Sequence, residues 1–468
     1  MIGIPPLERV RDHRHRHRHR HRHRHPSIDQ MHQLLRQFSR PFVLSTKSYV
    51  RPLATTTPHH SPISTEQLLL RATAGDPTYT ARTLIELGSK SNPEALIPHT
   101  ATRAVCDTYN NYTHDAQRTN FLVTLARDMN LDDVAVATAV GAASQINPGT
   151  APERVRRVTT NLRKTLTPAY ETLFSRMLAQ VPGGMMFLVQ LRADLLRNIR
   201  TLSKHADSTS DSVDTLRYLK DLDTNLKRNM VEWFSMSFLR LERVTMDMPG
   251  TVLDQIVQEE KVHPIENFGQ LRLRLGHGRR CYAFFHPSLP KIPLAFVHVA
   301  LLDSIADGMN VITGKQASTL HEEEATSAIF YSISSTQPGL SGVDLGNFLI
   351  KRVAQDIQET LPNVQHYSTL SPIPNFSAWM KRAGVDLLKQ GQISNVSSHD
   401  GALVAQELEK NNHMVRAKEC APRTTAVLGK AAAHYIVHEK LRGKMLCPVG
   451  NFHVRNGAEA WRLNVEVK

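Results

Sequence analysis

The segment from residue 328 to residue 374 constrains the fold of this chain more than any other part. Residues 328–334 are aromatic and β-branched, which predicts a buried strand that leads into a glycine-rich turn. Apolar residues then recur every three or four positions over 345–361, which predicts an amphipathic helix ended by Pro362. A second strand is predicted to end at Ser371. Alternating strands and helices indicate an α/β region built around one mixed sheet.

The turn between this strand and this helix contains Gly339, Gly342 and Gly346. Such a turn presents free backbone N–H groups and the positive end of a helix dipole, which together suit a phosphate. A tight turn without a ligand fits the spacing about equally well. The turn lacks the Gly-Lys-Ser/Thr of a Walker loop, and no acidic residue follows at the spacing of a dinucleotide fold. The remaining common use is a coenzyme A site, in which the pyrophosphate rests on this loop of an acetyltransferase-type sheet.

The chain divides by pattern into three parts. Residues 1–64 are predicted to be a disordered tail, residues 65–248 a helical domain and residues 249–468 an α/β domain. The helical period dominates as far as Leu241. Four stripes of apolar residues, mostly three or four positions apart, occur in this part. They are formed by Phe121, Leu122, Leu125 and Met129; by Val155, Val158, Leu162 and Leu166; by Leu188, Leu191, Leu195, Ile199 and Leu202; and by Leu216, Leu219, Leu222 and Leu226. These stripes predict the packing faces of a helical bundle.

In the α/β domain, further strands are predicted at 281–285 and 294–301, with helices near 252–262 and 424–441. A linker rich in serine and asparagine is predicted over 394–401. The last strands are predicted to begin at Phe452. The fold class is therefore α+β, with an all-α bundle followed by an α/β domain that has a mixed sheet.

Composition limits the classes of protein that this chain can belong to. The net charge is +14, but residues 1–65 carry +9 of it, so the remaining chain is only mildly basic. A mildly basic body suits an anionic ligand such as coenzyme A, and we predict no nucleic-acid partner. No run of 18 apolar residues occurs, so we predict no membrane partner. The four cysteines are scattered, which disfavours a disulfide framework or a structural zinc site and suits a reducing compartment.

The N-terminal tail contains two different segments. Residues 13–25 are a His-Arg repeat that cannot build a core. Metal or nucleic-acid binding by this repeat is less favoured than a translated simple repeat upstream of Met31. Residues 31–57 contain four basic residues, many hydroxyl residues and no acid, which is typical of a mitochondrial transit peptide. We therefore predict a location in the mitochondrial matrix, with peroxisomal or cytoplasmic pools left open.

Two polar residues are candidates for chemistry. Ser371 lies at the predicted strand end, where Pro372 and Pro374 disfavour helix, so its hydroxyl should project from an extended edge. His453 lies in the string Asn-Phe-His-Val, and a histidine can act as a general acid because its ordinary pKa is near neutrality. From spacing alone, both residues are more often structural than catalytic.

Several long strings resemble the malonyl-CoA decarboxylase family. They include FYSIS, TQPGLSGVDLGNFLIKRV, STLSPIPNF, PVGNFHVRNGAEAWRLN, GMMFLVQLRADLL and RRCYAFFHPSLPKIPLAFVHVALL. The resemblance runs from about residue 110 to about residue 464, in the order of the family. It implies a helical domain that organises homo-oligomers and a catalytic domain of the GNAT acetyltransferase type. It also implies conversion of malonyl-CoA to acetyl-CoA and carbon dioxide, without a metal or organic cofactor.

The resemblance assigns roles to particular residues. It implies that Ser371 and His453 are the catalytic pair and bind substrate, with His453 as the acid that protonates the enolate, and that Ser332 lines the site. Many members have glutamate where this chain has Asp344, and a carboxylate there can orient a serine or histidine. The loop implied to hold the coenzyme comprises Ser341, Gly342, Val343, Asp344, Leu345, Gly346 and Asn347.

The chain departs from the family after Asn464. Members continue with further strand sequence that includes a tyrosine near the site, so we expect a catalytic domain truncated at its C-terminus. Three functions stay open at this point. They are a decarboxylase, an acyl-CoA-dependent N-acyltransferase of the same fold, and a protein without catalysis that binds coenzyme A or, through its tail, nucleic acid.

The transit-peptide interpretation predicts where a fusion protein will go. A fluorescent protein that carries residues 31–57 at its N-terminus should enter mitochondria, because the segment is basic and contains no acid. Microscopy with a mitochondrial dye measures this. The matched control replaces its four basic residues by glutamine and should stay in the cytosol. A cytosolic or peroxisomal signal from the unaltered segment would refute the interpretation.

Overall fold

A computed structural model describes residues 2–3, 85, 97–205, 210–313, 320–410 and 421–464 of the chain. The predicted transit segment, the His-Arg repeat and the last four residues lie outside the described residues. Ile2 and Gly3, which the sequence analysis assigned to the disordered tail, form a short strand. Within the described residues no helix has the length and apolar character needed to cross a membrane.

The first part of the described chain is helical, as predicted. Its helices are α1 (Ile97–Asn111), α2 (Asp115–Asp128), α3 (Asp133–Ser144), α4 (Pro152–Thr165), α5 (Ala169–Gln180), α6 (Gly184–His205) and α7 (Ser210–Trp233). The stripes on α2, α6 and α7 supply buried side chains to one core that α5 and α1 complete. Burying such stripes is the main source of helical stability in a bundle, at about 25 cal/mol per Å² of apolar surface.

One predicted packing face is not buried. On α4, Val155, Val158 and Leu162 are only partly buried, and Leu166, which follows the helix, is 48% exposed. This helix packs on α3, whose own buried residue is Ala139. The amphipathic pattern correctly predicted a helix. It did not predict which surface covers the apolar stripe, because periodicity carries no information about the partner.

A seven-stranded mixed sheet forms the second part of the structure. Its strands are β1 (Ile2–Gly3), β2 (Arg240–Val244), β3 (Arg279–Phe285), β4 (Ala295–Leu302), β5 (Ser327–Ser335), β6 (His366–Thr369) and β9 (Glu459–Ala460). Their order is β2-β3-β4-β5-β6-β1-β9. The pairs from β2 to β5 are antiparallel, β5 and β6 are parallel, and β1 pairs antiparallel with both β6 and β9.

Strand β2 corrects the predicted helical domain. The helical period was expected to continue to Leu241 and the α/β domain to begin at residue 249. Instead α7 ends at Trp233, and Arg240–Val244 pairs along its whole length with β3. The leucine and methionine spacing before Pro249 resembles a helix, but pairing with a neighbouring strand decides the local structure.

The remaining helices and one hairpin lie outside the seven-stranded sheet, and those between residues 376 and 447 form an apolar core of their own. The remaining elements are α8 (Gly250–Glu259), α9 (Phe268–Arg274), α10 (Met309–Thr313), α11 (Leu345–Thr360), α12 (Phe376–Trp379), α13 (Val385–Lys389), α14 (Ser398–Lys410), α15 (Pro422–Val437), the hairpin β7 (Lys440–Leu441) and β8 (Lys444–Met445), and α16 (Pro448–Arg455). The predicted strand, glycine turn, helix and strand are confirmed as β5, a turn, α11 and β6. The predicted linker at 394–401 already contains the start of α14.

The predicted strand at Phe452 is wrong, because residues 448–455 form helix α16. Phenylalanine and valine favour a strand, but two local features start a helix here. Pro448 occupies the first helical turn, and the Sγ of Cys447 accepts a hydrogen bond from the Gly450 N–H. His453 is therefore a helical residue.

Helices cover both faces of the sheet. On one face α11 packs in the same core cluster as the helical bundle. On the other face α8 and α9 pack against residues of β3 and β4. The bundle and one face of the sheet thus share a continuous apolar core, which brings the glycine turn next to α6 and α7.

Candidate active site

Ser371 and His453 meet in the folded chain although 82 positions separate them. The Ser371 Oγ and the His453 Nε2 lie 3.1 Å apart, which is hydrogen-bond distance. Ser371 lies two residues after the end of β6 and is partly exposed, whereas His453 is only 4% exposed. A partly accessible hydroxyl bonded to a buried imidazole can pass a proton between the protein interior and a bound molecule.

Burial also sets the protonation state of His453. Removal of the ring from water lowers the pKa of His453 to about 4, because burial disfavours the charged imidazolium. In the unliganded protein at neutral pH the imidazole is therefore neutral. This pKa is below the ordinary value on which the role of His453 as an acid was predicted, and that role stays a prediction.

The glycine turn lies close to this pair. It begins with a single 3₁₀ turn at Pro338–Leu340, passes through Gly342 at a φ of 80°, and enters α11 at Leu345. A positive φ is costly for residues with a side chain, which explains glycine at position 342. Within the described residues no side chain caps the first turn of α11. The N–H groups of Ser341, Val343 and Leu345 bond to backbone carbonyls of the turn itself.

Gly346 connects the turn to the pair. A Cβ at this position would lie 3.7 Å from the ring of Phe452, the residue before His453. The Phe452 and His453 rings in turn lie edge to face, with centroids 5.1 Å apart. The start of α11 and the helix that carries the imidazole therefore pack directly on each other.

The helical bundle supports the turn through Arg192, a residue that the sequence analysis did not single out. The Arg192 Nη1 donates to the carbonyl oxygens of Gly339 at 2.5 Å and Ser341 at 2.9 Å. Its Nε donates to Asp223 on α7 at 2.8 Å. Arg192 is 1% exposed. In the sequence, Arg192 lies next to Leu191 in the apolar stripe of α6. An arginine in that position would be buried, and a buried charge requires a partner, which was the one indication of its role.

Gly339 also fits against the bundle. A side chain at this position would collide with the carbonyl oxygen of Val189 on α6. The turn therefore approaches the backbone of α6 as closely as only glycine allows. Arg192 and this close approach together fix the turn from the side of the bundle.

Ser332 does not join the pair in this structure. Its hydroxyl donates to the Oε2 of Glu260 at 2.6 Å, in a buried site next to His298. Strict alternation from Ala328 and Phe330 would place Ser332 on the face that α11 covers. A shift in register between His298 and Val299 of β4 inserts an extra residue in β5, and Ser332 turns to the opposite face.

Asp344 is the N-cap residue of α11, and its carboxylate accepts a bond of 3.4 Å from the Asn347 amide. No hydrogen bond between Asp344 and either member of the pair is present among the described residues, so its predicted orienting role stays a prediction. The same residues contain no cluster of three or more histidine, cysteine or acidic side chains that could hold a metal ion.

The arrangement combines two chemical capacities. The uncapped first turn of α11 and its glycine loop can hold an anion such as a pyrophosphate. The hydroxyl and imidazole beside it can transfer a proton. A substrate with a phosphate group at one end and a reacting carbon at the other would use both.

Comparison with known proteins agrees with this arrangement. Residues 130–234 match the model of the malonyl-CoA decarboxylase N-terminal domain, and residues 237–467 match that of the C-terminal domain. The mitochondrial malonyl-CoA decarboxylase of Anser anser anser is 36% identical over 76% of this chain and 71% of its own. That of Mus musculus is 35% identical over 76% of this chain and 73% of its own.

Solved structures give the same result. The crystal structure of malonyl-CoA decarboxylase from Rhodopseudomonas palustris matches with a TM-score of 0.66 and 30% identity, over 82% of this chain and 86% of its own. The enzyme from Agrobacterium vitis matches with a TM-score of 0.66 and 29% identity, over 81% and 85% of the two chains. Both domain models and relatives of this similarity identify the chain as a member of the malonyl-CoA decarboxylase family.

Proposed function

We propose that this protein decarboxylates malonyl-CoA to acetyl-CoA and carbon dioxide. The observation that carries the proposal is the bond between Ser371 Oγ and His453 Nε2, beside a glycine turn suited to a pyrophosphate. Membership of the family supports the identity of the substrate. The catalytic residues of the proposal are Ser371 and His453.

The coenzyme would be held by the loop from Ser341 to Asn347. The N–H groups at the start of α11 and the helix dipole both favour the negative charge of the pyrophosphate. An acetyltransferase-type catalytic domain is part of this proposal. Its support is the order of β5, glycine turn and α11, and the change from antiparallel to parallel pairing at β5 and β6.

The malonyl group would lie where β5 and β6 separate. The parallel ladder between them ends at Phe330 and Thr369, whereas β5 continues to Ser335. Ser371 follows this end of β6. A thioester that enters between the strands would therefore reach the hydroxyl while its pyrophosphate rests on the glycine turn that follows β5.

The reaction begins with cleavage of the bond between the methylene carbon and the carboxylate. Carbon dioxide leaves, and the electron pair passes to the thioester, which becomes an enolate. Hydrogen-bond donors aimed at the enolate oxygen would stabilise it by about 3 kcal/mol each. The methylene carbon then takes up one proton to give acetyl-CoA.

His453 would acquire this proton only with substrate bound. Burial keeps the free imidazole neutral, with its pKa at about 4. The malonyl carboxylate brings a negative charge next to the ring, and a nearby opposite charge raises the pKa of an imidazole. As the enolate forms, Nε2 would donate its proton to Ser371 Oγ while the hydroxyl donates its own to the carbon. The imidazole returns to its neutral state.

The experiment that tests this function is release of carbon dioxide from malonyl-CoA without an acyl acceptor. The folded chain should release it, since the reaction needs no second substrate. His453→Asn and Ser371→Ala should each lower turnover by roughly a hundredfold, because general acid–base catalysis contributes about 10² to 10⁴. The double variant should be little slower than either single variant, since the two residues act as a unit.

Controls come from exposed residues of the same domain, His399→Asn and Ser377→Ala, which should keep normal turnover. Acetyl-CoA affinity should survive in all five variants, because none of the changed residues belongs to the glycine turn. Near-normal turnover in His453→Asn would contradict the proposed acid. Absence of carbon dioxide together with thioester loss that depends on an added amine would favour an N-acyltransferase instead.

We also propose that the α3–α4 hairpin joins two copies of this chain. Its apolar side chains are uncovered in one copy, with Val134 77%, Val140 50% and Leu166 48% exposed. A second copy would bury them, in agreement with the predicted homo-oligomer. Light scattering should show a dimer or larger form, and Val140→Asp with Leu166→Asp should yield monomers. A monomeric unaltered chain would refute this interface.

The mitochondrial matrix is the proposed location. The mitochondrial names of the relatives from Anser anser anser and Mus musculus support it, together with the composition of residues 31–57. Peroxisomal and cytoplasmic pools stay predictions of the family resemblance. The fusion of residues 31–57 described above separates these locations.

A further inference from the structure

Lys227 of the helical bundle lies against the glycine turn. A Cβ built on Gly342 would be 2.9 Å from the Nζ and 3.0 Å from the Cε of Lys227. The ammonium group and the end of its aliphatic stem thus lie directly over the residue whose positive φ opens the turn. Lys227 is on α7, about 115 positions away in sequence, and the bundle places it there.

The charge of Lys227 is not neutralised within the described residues. Its side chain is exposed and has no hydrogen-bond or ion-pair partner among them. The acid one helical turn before it is Asp223, and Arg192 engages that carboxylate at 2.8 Å. Asp344 is the acid within the turn, and its carboxylate bonds to Asn347.

An ammonium group at this place faces charge of its own sign. The first turn of α11 carries the positive end of the helix dipole, and the N–H groups of the turn add to it. An anion that binds at this turn would be attracted both by the ammonium group near Gly342 and by the N-terminal end of α11. The pattern is therefore that of an anion site with one wall supplied by the sheet domain and the other by the bundle.

We infer that Lys227 binds the pyrophosphate of the coenzyme, so that the helical bundle supplies a substrate-binding residue. Ion pairing with a phosphate oxygen adds a charge-assisted bond to the neutral N–H bonds of the turn. This inference rests on the proposed function for the position of the coenzyme. Its consequence is selection for coenzyme A thioesters over thioesters that lack the pyrophosphate.

The experiment compares Lys227→Ala, Lys227→Arg and the unaltered protein on three thioesters, namely malonyl-CoA, malonyl-3′-dephospho-CoA and malonyl-pantetheine. In Lys227→Ala the KM should rise roughly tenfold or more for the first two, since both contain the pyrophosphate. It should stay unchanged for malonyl-pantetheine, and kcat should change little. Lys227→Arg should recover most of the affinity because it keeps the charge. Lys204→Ala, an exposed lysine of the same bundle, is the matched control.

Calorimetry of acetyl-CoA binding gives a readout that does not depend on turnover. Affinity should fall in Lys227→Ala, and its dependence on salt concentration should become weaker, because one ion pair is lost. Unchanged binding and KM in Lys227→Ala would overturn the inference while leaving the decarboxylase proposal intact. A rise in KM for malonyl-CoA without a rise for malonyl-3′-dephospho-CoA would also overturn the inference, since Lys227 would then bind the 3′-phosphate and not the pyrophosphate. An unaltered protein that binds acetyl-CoA but releases no carbon dioxide would overturn the proposed function alone.

Discussion

The guanidinium of Arg192 joins the two parts of this structure through polar contacts on which the shape of the glycine turn depends. It is almost fully buried, with one bond to Asp223 of the bundle and two to carbonyl oxygens of the turn. A buried charge is stable only when it is paired and bonded, and removal of one partner typically costs about 3–5 kcal/mol. The turn is therefore held from the bundle side, where Gly339 also packs on the α6 backbone.

Because the bundle fixes the glycine turn, it also affects the position of the helix that carries His453. The turn leads into α11, Gly346 at its start packs on Phe452, and Phe452 adjoins His453. A displacement of the turn would therefore shift α16, the helix that carries His453. The bundle then has three proposed functions, namely support of the site, association with a second copy and, through Lys227, binding of the pyrophosphate. The first depends on contacts within one chain, and the second on apolar side chains that one chain leaves exposed.

Burial explains why His453 and Ser371 form a pair suited to one reaction. At neutral pH the imidazole lacks the second ring proton that makes it a cation, since its pKa is lowered to about 4. A bound carboxylate changes this balance, so protonation would accompany substrate. In the proposed reaction the partly exposed hydroxyl of Ser371, which is bonded to the buried ring, would pass the proton on to the substrate carbon.

The sequence predicted those features that depend on local patterns. The strand, glycine turn and helix from β5 to α11 were correct because strand composition, glycine positions and helical period agree with each other. The strand predicted at Phe452 was wrong because a proline and a cysteine cap outweigh strand propensity. Ser332 was assigned to the site by the family resemblance alone, and no local pattern predicts the extra residue in β5 that turns its side chain to the face opposite α11.

Contacts between distant segments were not predictable without the family resemblance. The pairing of Ser371 with His453 and of Arg192 with the turn joins residues about 80 and 150 positions apart, and no local pattern specifies such pairs. Lys227 was overlooked for the same reason, since on its own helix it is an ordinary exposed lysine.

The proposed function depends most on the backbone of residues 341–347, which would hold the coenzyme. Amide hydrogen exchange in the intact protein, with and without saturating acetyl-CoA, tests it most directly. The amides of Gly342, Asp344, Gly346 and Asn347 should exchange more slowly when the ligand is bound, because the pyrophosphate would accept their N–H groups. Those of Ser341, Val343 and Leu345 already donate to backbone carbonyls. Peptides from α4 should exchange at an unchanged rate. Unchanged exchange in the loop, at a ligand concentration that calorimetry shows to be saturating, would contradict the account.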